Sequence, residues 1–67
     1  MIGKRLKDLR AERGLPQDVF ASCLGVKRST LSMYEADKRN PSYTVLIRLA
    51  RYFEVTTDYL LGLTDER

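Results

Sequence analysis

Lys27, Arg28, Ser29, Ser32 and Met33 fall within seven residues, interleaved with apolar Val26, Leu31 and Tyr34. If the segment is helical, Leu31 and Tyr34 turn toward a core and the other five face away from it. The chemistry open to such a face is recognition by contact. The forked guanidinium of Arg28 matches the two acceptors that guanine shows in the major groove of a duplex, a pairing worth about 1–3 kcal/mol of discrimination. Lys27 suits either a base or a phosphate, and Ser29 and Ser32 donate or accept as the base requires. Met33 offers an apolar contact to a thymine methyl, or folds back as flexible packing. Catalysis lacks players: there is no histidine, a single Cys23, and no phosphate-cradling glycine loop. Neither a metal-ligand cluster nor a cofactor or small-molecule site is expected.

The elements that must position these side chains are legible from spacing. Across Gln17 to Ala36, residues Phe20, Ala21, Leu24, Val26, Leu31 and Tyr34 fall where two helices crossing at a steep angle would bury them. Ala21 is small where the second helix approaches, and Gly25 follows Leu24 where a chain leaving a helix needs a positive φ. The window reads as a helix-turn-helix, its second helix spanning about Lys27 to Glu35. A first helix is predicted over Ile2–Arg13, with Ile2, Leu6 and Leu9 on one face and Gly14 ending it. Pro16 is placed in the first turn of the next, Pro16–Leu24. Asn40 and Pro41 break the pattern; Ser42 caps a fourth helix carrying Leu46, Leu49, Ala50 and Phe53, and Thr56 caps a short fifth with Asp58, Leu60 and Leu61. The expected fold is all-α: one compact five-helix bundle over residues 1–67, with no β pattern.

Charge and size bound the partners. The net charge of +3 is unevenly spread: residues 1–39 carry nine basic and five acidic side chains, and residues 40–67 three and four. The positive excess therefore accompanies the helix-turn-helix, and a polyanion such as DNA would be drawn to that half. A chain of 67 residues buries only about 60% of its unfolded surface, so the core is small and stability is expected to be marginal or shared with a partner. One cysteine cannot form an internal disulfide, and a reducing cytosol is the expected location. No apolar run approaches the roughly 20 residues of a membrane span, and Met1 to Arg13 is charged instead of signal-like.

The order Leu15-Pro16-Gln17, Phe20-Ala21, Leu24-Gly25-Val26, Ser29-Thr30-Leu31-Ser32, Tyr34-Glu35, Lys38-Arg39-Asn40-Pro41-Ser42 and Leu49-Ala50 resembles the phage repressor and Cro-like (XRE-type) helix-turn-helix family of transcriptional regulators. The match covers nearly the whole chain. The resemblance implies a five-helix fold of lambda-repressor type and binding of operator DNA, as a repressor acting through paired recognition helices. It implies a phosphate contact for Gln17 at the start of the second helix, and further phosphate contacts for Lys38, Arg39, Asn40 and Ser42 in the loop beside the sugar-phosphate backbone. It implies a structural ion pair between Arg10 and Glu35, and a homodimer through Val55, Tyr59 and Leu63 that reads a near-palindromic site. Two departures stand out. Asp37 occupies a position where members usually place glycine, and Val19 and Cys23 stand where relatives tend to carry charge. That apolar strip leaves open a second function, a helical protein-interaction module such as the antitoxin-like partner of another protein.

Overall fold

Each helix begins and ends where a particular residue relieves the backbone. The computed structural model describes residues 1–67 as five α-helices without a strand. Helix α1 (Gly3–Glu12) and helix α2 (Gln17–Leu24) are separated by Gly14 in the left-handed region. Pro16 lies just outside α2 instead of in its first turn: its ψ of 152° is extended, and only its carbonyl joins the helix, accepting the Phe20 N–H at 3.0 Å. Lys27 does the same for helix α3 (Arg28–Glu35), its extended residue offering a carbonyl to the Leu31 N–H. Between them Gly25 takes φ 73°, and the Val26 N–H reaches back to the Ala21 carbonyl, which makes the corner. Ser42 Oγ accepts the Val45 N–H at the start of helix α4 (Tyr43–Phe53), and Thr56 Oγ1 accepts the Tyr59 N–H at the start of helix α5 (Thr57–Leu60).

The apolar faces so produced close on one core. Helix α2 packs on α3 and α4, α1 on α3 and α5, and α4 on α5. Phe20 is fully buried at the centre, its ring 5.2 Å from Phe53 and 5.3 Å from Tyr52, with Leu6, Leu31, Leu49 and Leu60 around it. The tilted rings favour edge-to-face contact over a flat stack. Val55 and Tyr59, expected at a two-fold interface, belong to this core at 9% and 8% exposure, whereas Leu63 is 71% exposed. The reason is long-range: the Arg5 guanidinium lies 4.1 Å above the Tyr59 ring and Arg67 lies over it at 5.5 Å, so the aromatic face is covered within the chain.

Helix α1 is set against the end of α3 by an absence. A Cβ on Gly3 would collide with the Glu35 carbonyl oxygen and stand 2.9 Å from its carbon, both backbone atoms that cannot step aside. Gly3→Ala is therefore expected to lose about 1–3 kcal/mol through overpacking, although an alanine in a free helix would gain. A thermal melt showing the variant equal to or more stable than the parent would contradict this close approach.

Candidate nucleic-acid interface

Helix α3 holds its outer face clear because its inner face is spent. Leu31 and Tyr34 are buried, while Lys27, Arg28, Ser29 and Ser32 are exposed and Met33 is half-buried. Gln17 from the start of α2 joins Arg28, Ser29 and Ser32 around a shallow depression of about 380 Å³ without a hydrophobic residue in its lining. Lys7 of α1, Gln17, Ser32, Glu35 and Ala36 line a second cleft, of about 210 Å³, which shares Gln17 and Ser32 with the first. Helix α3 thus presents hydrogen-bonding groups along one flank, with Arg28 at one margin and Lys7 at the other.

Its angle is fixed by an ion pair. Arg10 Nε donates to Glu35 Oε2 at 2.6 Å and Arg10 Nη2 to Glu35 Oε1 at 3.1 Å, a two-pronged contact, while Arg10 Nη1 donates to the Leu15 carbonyl at 2.7 Å. Gln17 Nε2 donates to the same Glu35 Oε1 at 3.0 Å. One carboxylate therefore ties α1, the first residue of α2 and the last of α3, and the arginine it holds reaches the loop ahead of α2. The side chains are only 16% and 5% exposed, and no buried side-chain polar atom in the chain lacks a partner. Gln17 still has a second amide N–H, and with the first held by Glu35 the group is oriented before any ligand arrives.

Asp37 solves the departure noted in its sequence position. It adopts φ 57° and closes α3 with the paired bonds of a Schellman turn, Lys38 N–H to the Met33 carbonyl and Asp37 N–H to the Tyr34 carbonyl. A left-handed aspartate is tolerated more readily than most side chains. Its carboxylate also accepts the Gly3 N–H at 2.9 Å and the amino group of Met1, so it caps the start of α1 while ending α3. These two bonds, the amino group's first, hold its carboxyl below the ordinary value of 3.8. Lys38, Arg39, Asn40 and Ser42 follow as an exposed stretch, with Ser42 engaged at the α4 cap. The residue missed by sequence reasoning is Lys7; its signal was available, three residues before Arg10 and hence on the same flank of α1.

A family model described as Helix-turn-helix matches residues 6–60. The chain belongs to the helix-turn-helix family of transcriptional regulators. Among its curated relatives is the HTH-type transcriptional regulator ImmR of Bacillus subtilis strain 168, 43% identical over 61 residues, which cover 91% of this chain and 48% of that protein. The chain spans about half the length of the curated relatives it matches. Among solved structures, SinR, the master regulator for biofilm formation, in complex with DNA is 35% identical with a TM-score of 0.79, covering 91% of this chain and 98% of that one. The P22 c2 repressor with a synthetic operator has the same fold at a TM-score of 0.83 and 23% identity, covering 90% and 91%. The all-α, lambda-repressor-like architecture and the family resemblance are thereby established. No helix is long and apolar enough to cross a membrane.

Two outcomes follow from this geometry. Glu35→Ala strands the Arg10 guanidinium in a half-closed site and is expected to destabilise the helix-turn-helix fold by about 3 kcal/mol, whereas Glu35→Gln, which keeps an acceptor, loses less; equal melting temperatures for Glu35→Ala and parent would rule the tie out. A carboxyl with a lowered folded pKa stabilises above its ordinary value and loses that contribution as pH falls through the lowered one. Asp37→Asn should therefore be less stable than the parent near pH 7, and the gap should close below the ordinary 3.8. Denaturant midpoints that differ equally at both ends of the range would refute it.

Proposed function

We propose that this chain is the DNA-binding part of a transcriptional regulator, a repressor that occupies its operator by laying α3 in the major groove. The observation that carries the reading is the outer flank of α3: Arg28, Ser29 and Ser32 are exposed around a wholly polar depression while the opposite flank fills the core. In this reading Lys27, Arg28, Ser29, Ser32 and Met33 meet base edges, and Gln17, Lys38, Arg39, Asn40 and Ser42 position the domain on phosphates, joined by Lys7 at the margin. SinR, 35% identical, has been solved in complex with DNA, which supports the same use of the domain here. In this reading the domain acts by occupancy, and no chemical step is asked of it.

The reading extends to a homodimer. The domain is 27 Å along its longest axis, shorter than the roughly 34–36 Å between half-sites one helical turn apart, so a palindromic site needs two copies. In this reading the second copy meets the Val55–Leu63 end of the chain, where Leu63 is 71% exposed, and the contact extends over the neighbouring groove of about 240 Å³ lined by Met1, Ile2, Asn40, Pro41, Tyr43, Leu46 and Leu61.

Selection of duplexes from a random pool tests the assignment. Arg28→Ala should relax preference at one base position, whereas Lys38→Ala should weaken all duplexes alike and lower the salt slope by about 1. For the parent, six to ten phosphate contacts would lose about 10³–10⁵ in affinity between about 50 and 200 mM salt. Identical selected sequences from parent and Arg28→Ala, or binding indifferent to salt, would overturn the proposal.

A further inference from the structure

Four of the twelve Lys and Arg side chains are held in ion pairs: Lys4 with Asp8, Arg5 with Asp65, Arg10 with Glu35 and Arg67 with Glu12. Of the rest, Lys7, Lys27, Arg28, Lys38 and Arg39 lie at or beside the reading helix. Three do not: Arg13, Arg48 and Arg51 gather around Tyr52 on the opposite side of α2. Arg13 lies 5.3 Å above the Tyr52 ring, while Arg48, Arg51 and Tyr52 line a depression of about 350 Å³ with Cys23 and Leu24. None of the three forms an ion pair: Arg48 has only a long 3.4 Å bond to the Leu24 carbonyl, Glu12, next to Arg13 in the chain, is held by Arg67 and feels Arg13 only through space, and Asp18 and Glu54 engage neither Arg13 nor Arg51. On α2, Cys23 of this lining is exposed and Val19, one turn earlier, is 46% exposed, so an apolar strip leads along α2 into the depression.

We propose that this α2–α4 face docks an acidic amphipathic helix of a protein partner, its apolar stripe over Val19, Cys23 and Tyr52 and its carboxylates on Arg13, Arg48 and Arg51. Two packed helices offer a shallow groove that a third can enter, with anchors spaced at i and i+4. The charge dictates the sign of the partner: three cations without a counter-ion of their own complement carboxylates and repel a basic segment. The strip dictates its class. A DNA backbone has nothing to place on Val19 and Cys23, and the depression on the reading flank of α3 is lined by no hydrophobic residue, whereas the lining here is largely apolar between its two arginines. No residue of α3 lines this depression, so in this proposal the partner does not occupy the face assigned to the operator.

The test uses the isotopically labelled chain and three synthetic peptides: a helical one with a leucine stripe and a glutamate face, the same with lysine for glutamate, and a scramble of the acidic one. The acidic amphipathic peptide should shift amide resonances along the outer sides of α2 and α4 and leave α3 unmoved. The lysine version and the scramble should bind at least about tenfold more weakly. Arg13→Gln with Arg51→Gln should weaken the acidic peptide by about tenfold while melting and duplex binding stay within about twofold. Val19→Asp, on an exposed position, should do the same without reference to the arginines. The proposal is overturned if the scramble binds as tightly, if the shifts centre on α3 and the Lys38 loop, if both variants bind as the parent does, or if a short DNA duplex moves the α2–α4 amides as the peptide does.

Discussion

One carboxylate, that of Glu35, decides how helix α3 stands. It receives both prongs of Arg10 and the amide of Gln17, and it sits where the last turn of α3 meets the first helix and the start of the second. Apolar packing alone sets the distance between helices more firmly than their rotation, because leucine and phenylalanine surfaces tolerate sliding. A two-pronged guanidinium contact has direction and does not. Buried charge pairs add little net stability once their desolvation is counted, and their better-attested role is to select one arrangement among several. Here the arrangement selected is the one in which Ser29 and Ser32 look outward.

The same logic explains why Gly3 and Asp37 accompany the pair. For Arg10 to reach Glu35, α1 must come against the end of α3, and the Gly3 backbone touches the Glu35 carbonyl to allow it. Asp37 then uses the proximity, ending one helix with its torsion and capping the other with its side chain. The replacement of the family's usual glycine by aspartate trades a relaxed backbone for a bond across the junction.

What the sequence revealed and what it hid divide by range. Gly25, Ser42 and Thr56 act within four residues of their own position, and each punctuates the chain as its type predicts. The apolar spacing of Leu6, Phe20, Leu31 and Leu49 places them inside without knowledge of the partners they meet. Pro16 and Lys27 shifted by one position because an extended cap and a first helical turn share the same φ and differ only in ψ. That Val55 and Tyr59 lie within the core of one chain was hidden, the cover of the Tyr59 ring coming from Arg5 and Arg67 at opposite ends of the sequence. The cluster of Arg13, Arg48 and Arg51 was invisible for the same reason: nothing local joins residue 13 to residue 51.

The separation between the two flanks of α3 has a bearing on how such a domain changes over time. Arg28, Ser29 and Ser32 are exposed and contribute nothing to the core, so exchanging them leaves the packing of Leu31 and Tyr34 untouched. Surface exchanges of this kind usually alter stability by less than about 0.5 kcal/mol. A lineage can therefore exchange these three side chains one at a time, each intermediate remaining a folded protein, while Leu31 and Tyr34 behind them stay unchanged.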